Sequence, residues 1–104
     1  MDDVRIHCGT LVADLRLPHA RQLKDRRQAL RALIQRLHNQ RLAVAQVGPS
    51  DLYQRVFLVI GAVAGSSTVL DGLLDTAERM LFASEFEVGD LRRHVRQDSF
   101  SSLA

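Results

Sequence analysis

Six stretches of the chain carry a regular spacing of apolar and polar positions, and each predicts one strand or helix. Residues 4–17 alternate between small or apolar positions and polar ones as far as Pro18, a pattern typical of a strand. The side predicted to face a core carries Gly9, Leu11, Ala13, Leu15 and Leu17. The other side is mixed and carries Cys8, Thr10, Val12, Asp14 and Arg16.

Two helices are predicted from a different spacing. In residues 23–39 the apolar side chains recur at i, i+3, i+4 and i+7, which places them in one stripe along a helix. These are Leu30, Leu33, Ile34 and Leu37. Residues 66–83 begin with serines suited to cap a helix and continue with a similar stripe, so they predict a second helix.

Three further strands complete the pattern. Residues 42–47 are followed by a Gly-Pro turn signal, and residues 86–97 alternate before a basic end. Residues 56–64 are apolar at both odd and even positions, which is typical of a strand covered on both faces. We therefore expect residues 56–64 in the middle of a sheet.

The order of these elements predicts an α+β fold of the ferredoxin-like sandwich type. This order is β-α-β-β-α-β with short links, and it implies an antiparallel four-stranded sheet with two helices on one face. A chain of 104 residues suits one domain, which we place at residues 1–97. The polar residues 98–104 are predicted to form a disordered tail.

Cysteine content and hydropathy indicate a cytoplasmic protein. The single cysteine, Cys8, excludes a disulfide within the chain, and the N-terminus lacks the pattern of a secretory signal. The longest apolar run, residues 56–64, is far shorter than the roughly 20 residues that a membrane-spanning helix needs. We therefore expect no membrane association.

Charge is unevenly distributed along the chain, although the net charge is only +2. Residues 16–41 contain eight Lys or Arg and one acid, a balance of 8 − 1 = +7. Residues 66–91 contain one cation and six acids, a balance of 1 − 6 = −5. The first helix is therefore expected to be basic and the second acidic.

Three cations in the first turn of the first helix raise a question. Lys24, Arg26 and Arg27 lie at the positive end of the helix dipole, where each exposed cation costs roughly 0.3 to 1 kcal/mol. Asp25 offsets one of them, whereas Arg31 adds a like-charged i, i+4 pair with Arg27. Arg26 falls close to the apolar side and is expected to extend outward at the helix end.

A phosphate-binding role would explain this charge, because a phosphate at a helix N-terminus meets free N–H groups, the dipole and the cations together. The hypothesis is contact with RNA or the ribosome through a primary and a secondary set of residues. The primary set is Lys24, Arg26, Arg27, Arg31 and Arg21. The secondary set is Tyr53, Arg55, Arg92, Arg93 and Arg96.

Two plainer explanations stay open. The basic stripe can be the solvated face of a surface helix, or the acidic second helix can neutralise it within a monomer or across a dimer. Tyr53 can cover a sheet edge instead of stacking on a base. The third strand has Phe57 as its one aromatic residue, so base stacking on the open sheet, as in RNA-recognition sheets, is not expected.

No motif in the chain predicts an enzyme, a cofactor or a metal site. The four histidines and the single cysteine have no metal-ligand spacing, and neither glycine-rich phosphate-loop motif is present. Nucleophile and base pairs are also missing, so we expect no catalysis and no small-molecule substrate. The remaining function class is a protein-interaction module. Cys8, Thr10 and Val12 point to the open sheet face, which we expect a second copy to cover as a homodimer.

Three strings of residues resemble a known family. The chain contains "LRLP" at residues 15–18, "LKDRR" at residues 23–27 and "VGPSDLYQR" at residues 47–55. In this order they resemble the YlxP-like family of small bacterial proteins, with Gln22 where Ser is frequent and Tyr53 where Trp is frequent. The resemblance implies a ferredoxin-like sandwich and no established activity. Genes of this family often lie near those for translation initiation and ribosome maturation factors, which points towards RNA.

Overall fold

A computed structural model describes the backbone of residues 3–101 and the side chains of residues 4–99. Its elements follow the order β-α-β-β-α-β that the sequence predicts. They are β1 Asp3–Arg16, α1 Leu23–Asn39, β2 Ala43–Val47, β3 Arg55–Ala64, α2 Ser67–Ala83 and β4 Glu87–Ser101. The predicted α+β fold class is confirmed.

The four strands form one antiparallel sheet in the order β2-β3-β1-β4. β1 therefore lies between β3 and β4, with Leu11 opposite Ile60 on one side and opposite Arg93 on the other. The register of β1 and β4 shifts between Ala13 and Leu15, which marks an irregularity in the ladder. This arrangement is the open sheet of a ferredoxin-like sandwich.

The hydrophobic core lies between one face of the sheet and the two helices. Along β3, which lies in the middle of the sheet as predicted, buried residues alternate with partly buried or exposed ones. One face of β3 is therefore in the core, whereas the described elements of the chain do not supply the predicted cover on its other face. Fully buried side chains come from both layers, namely Leu11, Leu15, Val56, Leu58 and Ile60 from the sheet and Leu33, Leu37, Leu70, Leu74 and Leu81 from the helices. The predicted division of β1 into a core side and a mixed side is confirmed.

The close contact between α2 and β1 depends on a glycine. A Cβ atom at Gly9 would lie 2.8 Å from Leu74 Cδ1 and 3.1 Å from the carbonyl oxygen of His94. A larger residue would therefore push α2 away from the sheet. Ser66 caps α2, because its side chain accepts a hydrogen bond from the Val69 N–H at 3.2 Å. Neither helix in the described part of the chain has the length and hydropathy to cross a bilayer.

The C-terminal strand is longer than the sequence suggests. β4 continues to Ser101, and its last residues pair with β1, Asp98 opposite Ile6 and Ser101 opposite Asp3. The expectation of a disordered tail is therefore wrong for residues 98–101, while residues 102–104 lie outside the described residues. The physical reason is that ladder hydrogen bonds join main chains and do not require apolar side chains.

Beyond the end of β3, the first and last strands continue as a pair. The pairing of β1 with β3 begins at His7, which lies opposite Ala64 at the end of β3. Residues 3–6 and 98–101 pair only with each other in the described part of the chain, and we call this two-stranded extension the arm. It contributes to an elongated shape, 59 Å in its longest dimension and 23 by 21 Å across.

Candidate nucleic-acid interface

The candidate site is built around the beginning of α1. Gln22 occupies the N-cap position, but its side chain makes no capping hydrogen bond to the described residues. The Asp25 carboxylate instead accepts a hydrogen bond from the Arg21 main-chain N–H at 2.9 Å. The first turn of α1 is therefore left without a side-chain cap, which keeps the positive end of its dipole open.

Arg26 lies inside the molecule and not on its surface. Arg26 is only 4% exposed, so the prediction that its side chain extends outward is wrong. Arg26 lies four residues before Leu30, on the same side of α1 as the buried stripe, and this position carries it into the interior. Arg26 is therefore not part of the surface available to a nucleic acid.

The guanidinium of Arg26 binds the connection between β2 and β3. Nη1 donates to the carbonyl oxygens of Leu52 at 2.6 Å and Arg55 at 3.0 Å, and Nη2 donates to that of Ser50 at 3.2 Å. Nε is buried and has no hydrogen-bond partner among the described residues. Arg26 thus binds three main-chain acceptors, two in the connection and one at the first residue of β3.

Gln54 joins the same connection to the segment between β1 and α1. Its side-chain amide donates to the carbonyl oxygens of Ala20 at 3.1 Å and Pro18 at 3.4 Å. Its own carbonyl accepts from the Leu17 N–H at 2.9 Å. Together with Arg26, Gln54 brings residues 15–18, 23–27 and 47–55 to one end of the molecule. These are the three strings singled out in the sequence.

The position of Tyr53 follows from this arrangement. Tyr53 lies in the chain between Leu52, whose carbonyl binds Arg26, and Gln54, and it remains 43% exposed. It shares a cleft of about 410 Å³ with Arg21, which is also exposed, and with His19. The structure therefore brings two of the predicted site residues, Arg21 and Tyr53, to one surface depression.

The predicted stripe on α1 faces outward. Its members are all exposed, namely Lys24, Arg27, Gln28, Arg31, Gln35 and His38. Among the side chains of residues 4–99, no carboxylate lies within ion-pair distance of Arg21, Lys24, Arg27 or Arg31. From Lys24 to Arg31 the stripe extends about 10 Å along the helix axis, at 1.5 Å per residue. These cations form an uncompensated row, which we call the α1 cation row, with Arg21 at its N-terminal end.

Arg55 is held by an acid on the neighbouring strand. Its Nε and Nη2 donate to the two carboxylate oxygens of Asp14 at 2.9 and 2.8 Å, a bidentate pair. The hydrogen bond from Arg55 holds the pKa of the Asp14 carboxyl below its ordinary value, although partial burial opposes this. The guanidinium also lies 4.8 Å from the ring centre of Phe57. Arg55 is therefore committed to the open face of the sheet and does not join the α1 cation row.

The predicted second patch on β4 is also compensated. Arg92 contacts Asp90 at 3.1 Å, and Arg96 contacts Asp98 at 2.9 Å. Arg93 contacts two acids of α2, Asp75 at 2.9 Å and Glu78 at 3.0 Å. The structure does not bring Arg92, Arg93 and Arg96 together with the beginning of α1, and each already has an acidic partner.

Within one copy, no ion pair joins the acidic helix to the basic one among residues 4–99. The acids of α2 that form ion pairs in the described chain bind Arg93 of β4, and none binds a cation of α1. The explanation that the two helices cancel each other within a monomer therefore finds no ion pair among residues 4–99. Nor do three His, Cys, Asp or Glu side chains in the described region lie close enough to hold a metal ion.

The main functional detail that sequence reasoning missed is the role of Arg26 and Gln54 as supports. A signal for Arg26 was available, because residues 26, 30, 33 and 37 follow the helical spacing of the buried stripe. For Gln54 no local signal exists, since its partners Pro18 and Ala20 lie 36 and 34 residues away. Both residues position the surface that carries Tyr53 and do not themselves form it.

Most of the chain matches one protein family. Residues 8–93 match the model of a family described as Protein of unknown function (DUF503). Comparison with curated proteins finds no match.

Proposed function

Because the chain belongs to the DUF503 family, whose function is unknown, we propose a function from its own surface. In this proposal, the protein is a non-catalytic cytoplasmic protein that binds RNA through the α1 cation row and the cleft between Arg21 and Tyr53. As part of the same proposal, we assign the chain to the YlxP-like proteins, which its three strings of residues resemble. The genetic neighbourhood of those proteins selects structured ribosomal RNA as the first RNA to test.

One observation carries the proposal: the exposed cations of α1 lack acidic partners in the described chain, whereas the arginines of β3 and β4 have them. Arg55, Arg92, Arg93 and Arg96 each contact a carboxylate within 3.1 Å. An uncompensated cation in an uncapped first turn destabilises the helix by roughly 0.3 to 1 kcal/mol. A phosphate would reverse this effect, since it would accept hydrogen bonds from the free N–H groups and from Lys24 and Arg27 together.

The cleft supports contact with a base as well as with phosphates. Tyr53 is 43% exposed on a connection that Arg26 and Gln54 hold in place. An exposed aromatic ring beside an arginine gives an unpaired base a stacking surface, which contributes about 1 to 3 kcal/mol per base. Binding of this kind has little sequence preference and favours RNA with single-stranded loops.

The test is a titration of fluorescent structured RNA at several salt concentrations. Four phosphate contacts, from Arg21, Lys24, Arg27 and Arg31, predict a slope of about −3 to −4 in log K against log salt. The variant Lys24→Glu/Arg31→Glu should reduce affinity at least about tenfold, since two contacts become repulsive. The matched control is Arg5→Glu/Arg79→Glu, which replaces exposed cations elsewhere and changes the net charge equally, from +2 to −2.

The results separate three cases. Loss of binding in the α1 variant alone supports the proposal, and equal loss in the control reduces it to a general effect of net charge. Failure of the unmodified protein to bind RNA at low salt overturns it. Tyr53→Leu tests the cleft separately, because it should weaken binding while leaving the salt slope unchanged.

A further inference from the structure

The face of the sheet opposite the helices carries small and apolar side chains. Register and alternation place these side chains across from each other on β1 and β3, as the pairs Cys8 and Val63, Thr10 and Gly61, and Val12 and Val59. Val63 is 74% exposed. We call this surface the open face, and no described element of the chain covers it.

A groove of about 440 Å³ crosses the open face near the end of β3. Thr10, Ala43 and Gly61 line it, and its depth follows from their small size. Arg41 and Arg96 lie at its borders. Arg96 contacts Asp98, whereas Arg41 has no ion pair with residues 4–99. The groove therefore combines an apolar floor with a cationic border.

The arm carries the complementary features. Val4 and Ile6 lie on the same side of β1 as Cys8 and Thr10, because side chains alternate with a period of two. They are 42% and 38% exposed. Asp98 lies opposite Ile6 on β4 and adds a carboxylate to this side of the arm. A two-stranded ribbon alone is at best marginally stable in water, so the arm gains from a surface to pack on.

We propose that the protein forms a homodimer in which the arm of each copy lies on the open face of the other. Val4 and Ile6 fill the apolar groove of the partner, and Asp98 lies near Arg41 across the interface. Both contacts occur twice, since a two-fold axis makes the interface self-complementary. In this arrangement Asp98, which already contacts Arg96 of its own copy at 2.9 Å, faces Arg41 of the other copy as a second cation, and this charge complementarity selects a second copy as the occupant.

The available area agrees with a stable dimer. Four strands about 4.8 Å apart and ten residues of β3 at about 3.3 Å each define a face of roughly 600 Å². The arm extends this area towards the 800 Å² or so per partner that specific interfaces bury. The α1 cation row lies on the helix side of the sheet, so the dimer is independent of the proposed RNA binding and leaves that surface free.

Sedimentation equilibrium of the whole chain tests the proposal. We expect a mass of twice the 11.6 kDa of one chain. Ile6→Lys should give the monomer mass, because it places a charge on the groove floor of the partner. The matched control is Val69→Lys, since Val69 is a 56% exposed apolar residue of α2, away from the open face. It should remain dimeric.

A second variant tests the groove side of the same contact. Gly61→Leu fills the groove floor. A Cβ at Gly61 would meet Ala43 Cβ at 3.8 Å and the Gly9 carbonyl oxygen at 4.0 Å, both ordinary contact distances, so we expect the variant to fold. We expect a monomer here as well. This variant keeps the test decisive if Ile6→Lys fails to fold by circular dichroism.

The chain supplies its own chemical probe of the interface. Cys8, the single cysteine, lines the groove and is partly exposed in one copy. A thiol reagent should modify Cys8 several-fold more slowly in the unmodified protein than in the monomeric variants. A monomeric unmodified protein, or dimers that persist in both Ile6→Lys and Gly61→Leu, would overturn the proposal.

Discussion

The Nη1 atom of Arg26 donates a hydrogen bond to the main-chain carbonyl of Leu52 at 2.6 Å, although 26 residues separate the two. The basic residues in the first turn of α1 therefore have two different roles. Arg26 supports the connection between β2 and β3 from within, whereas Lys24 and Arg27 remain outside without acidic partners in the described chain. One short string of residues therefore serves both structure and surface charge.

Replacing Arg26 should destabilise the fold more than replacing its neighbour. Arg26→Met keeps a long apolar stem but removes hydrogen bonds to the carbonyls of Ser50, Leu52 and Arg55. We expect the free energy of unfolding to fall by about 2 to 4 kcal/mol, since these acceptors lose a charged donor. Arg27→Met, at an exposed position, should change it by less than about 0.5 kcal/mol. Urea denaturation measures both.

Equal stability of the two variants would show that water replaces the Arg26 guanidinium at no cost. In that case Arg26 would have no role in positioning Tyr53. Proteolysis of the connection adds a local readout, because residues 48–54 should be cleaved faster in Arg26→Met than in Arg27→Met.

Lys24→Glu should make the protein more stable. A glutamate in the uncapped first turn interacts favourably with the helix dipole, and it gains Arg27 as an i, i+3 partner. We expect the melting temperature to rise by a few degrees, which corresponds to about 0.5 to 1 kcal/mol in a domain of this size. Lys24→Gln should lie between the two proteins in a thermal melt.

A rise in stability together with a loss of RNA binding would indicate that Lys24 is kept for function at the expense of the helix. A lower melting temperature in Lys24→Glu would contradict this picture of the first turn. It would require an acidic contact to Lys24 in solution, such as one from a second chain.

The ion pair between Asp14 and Arg55 predicts a specific dependence of stability on pH. The hydrogen bond from Arg55 lowers the pKa of Asp14 in the folded protein, so the unfolded chain binds more protons in acid. The stabilisation is therefore present above the ordinary pKa near 3.8 and is lost as the pH falls through the lower, folded value. Asp14→Asn should be less stable than the unmodified protein at neutral pH.

This difference should narrow as the pH falls below the ordinary pKa near 3.8, because the unfolded chain then binds a proton at Asp14 before the folded protein does. Urea denaturation between about pH 7 and pH 2 measures it. The control is Asp71→Asn on α2, an exposed carboxylate that makes no ion pair with residues 4–99. Parallel curves for Asp14→Asn and the unmodified protein across this range would contradict the prediction.

The helices and the central strands could be predicted because their signals are local. The bounds of α1 agree at both ends with the predicted residues 23–39, since one stripe of leucines defines its buried side. The strands β2 and β3 begin one residue away from their predicted starts. In these elements, the side chains that are buried in the core are those that the spacing of apolar residues predicts.

The rest could not be predicted because it depends on pairing between distant residues. The polar residues 98–101 join β4 only because β1 extends back to Asp3 and offers them a ladder. The carbonyl partners of Arg26 lie 24 to 29 residues along the chain, on a connection whose path no local pattern encodes. Similarly, the sequence contained the cations of β4 but gave no sign of which acids would compensate them.

The central place of β1 in the sheet sets a constraint on how the chain folds while it is being made. β1 is synthesised first, yet its neighbours β3 and β4 come later, and the register joins Asp3 to Ser101. At roughly 5 to 20 residues per second, β1 waits on the order of 5 to 20 seconds for its last partner. The two helices and the hairpin of β2 and β3, whose contacts are local, can form in the meantime, and β1 can pair with β3 before β4 is complete. A nascent chain that shields the apolar side of β1 during this interval reaches the sheet, and one that does not is exposed to aggregation.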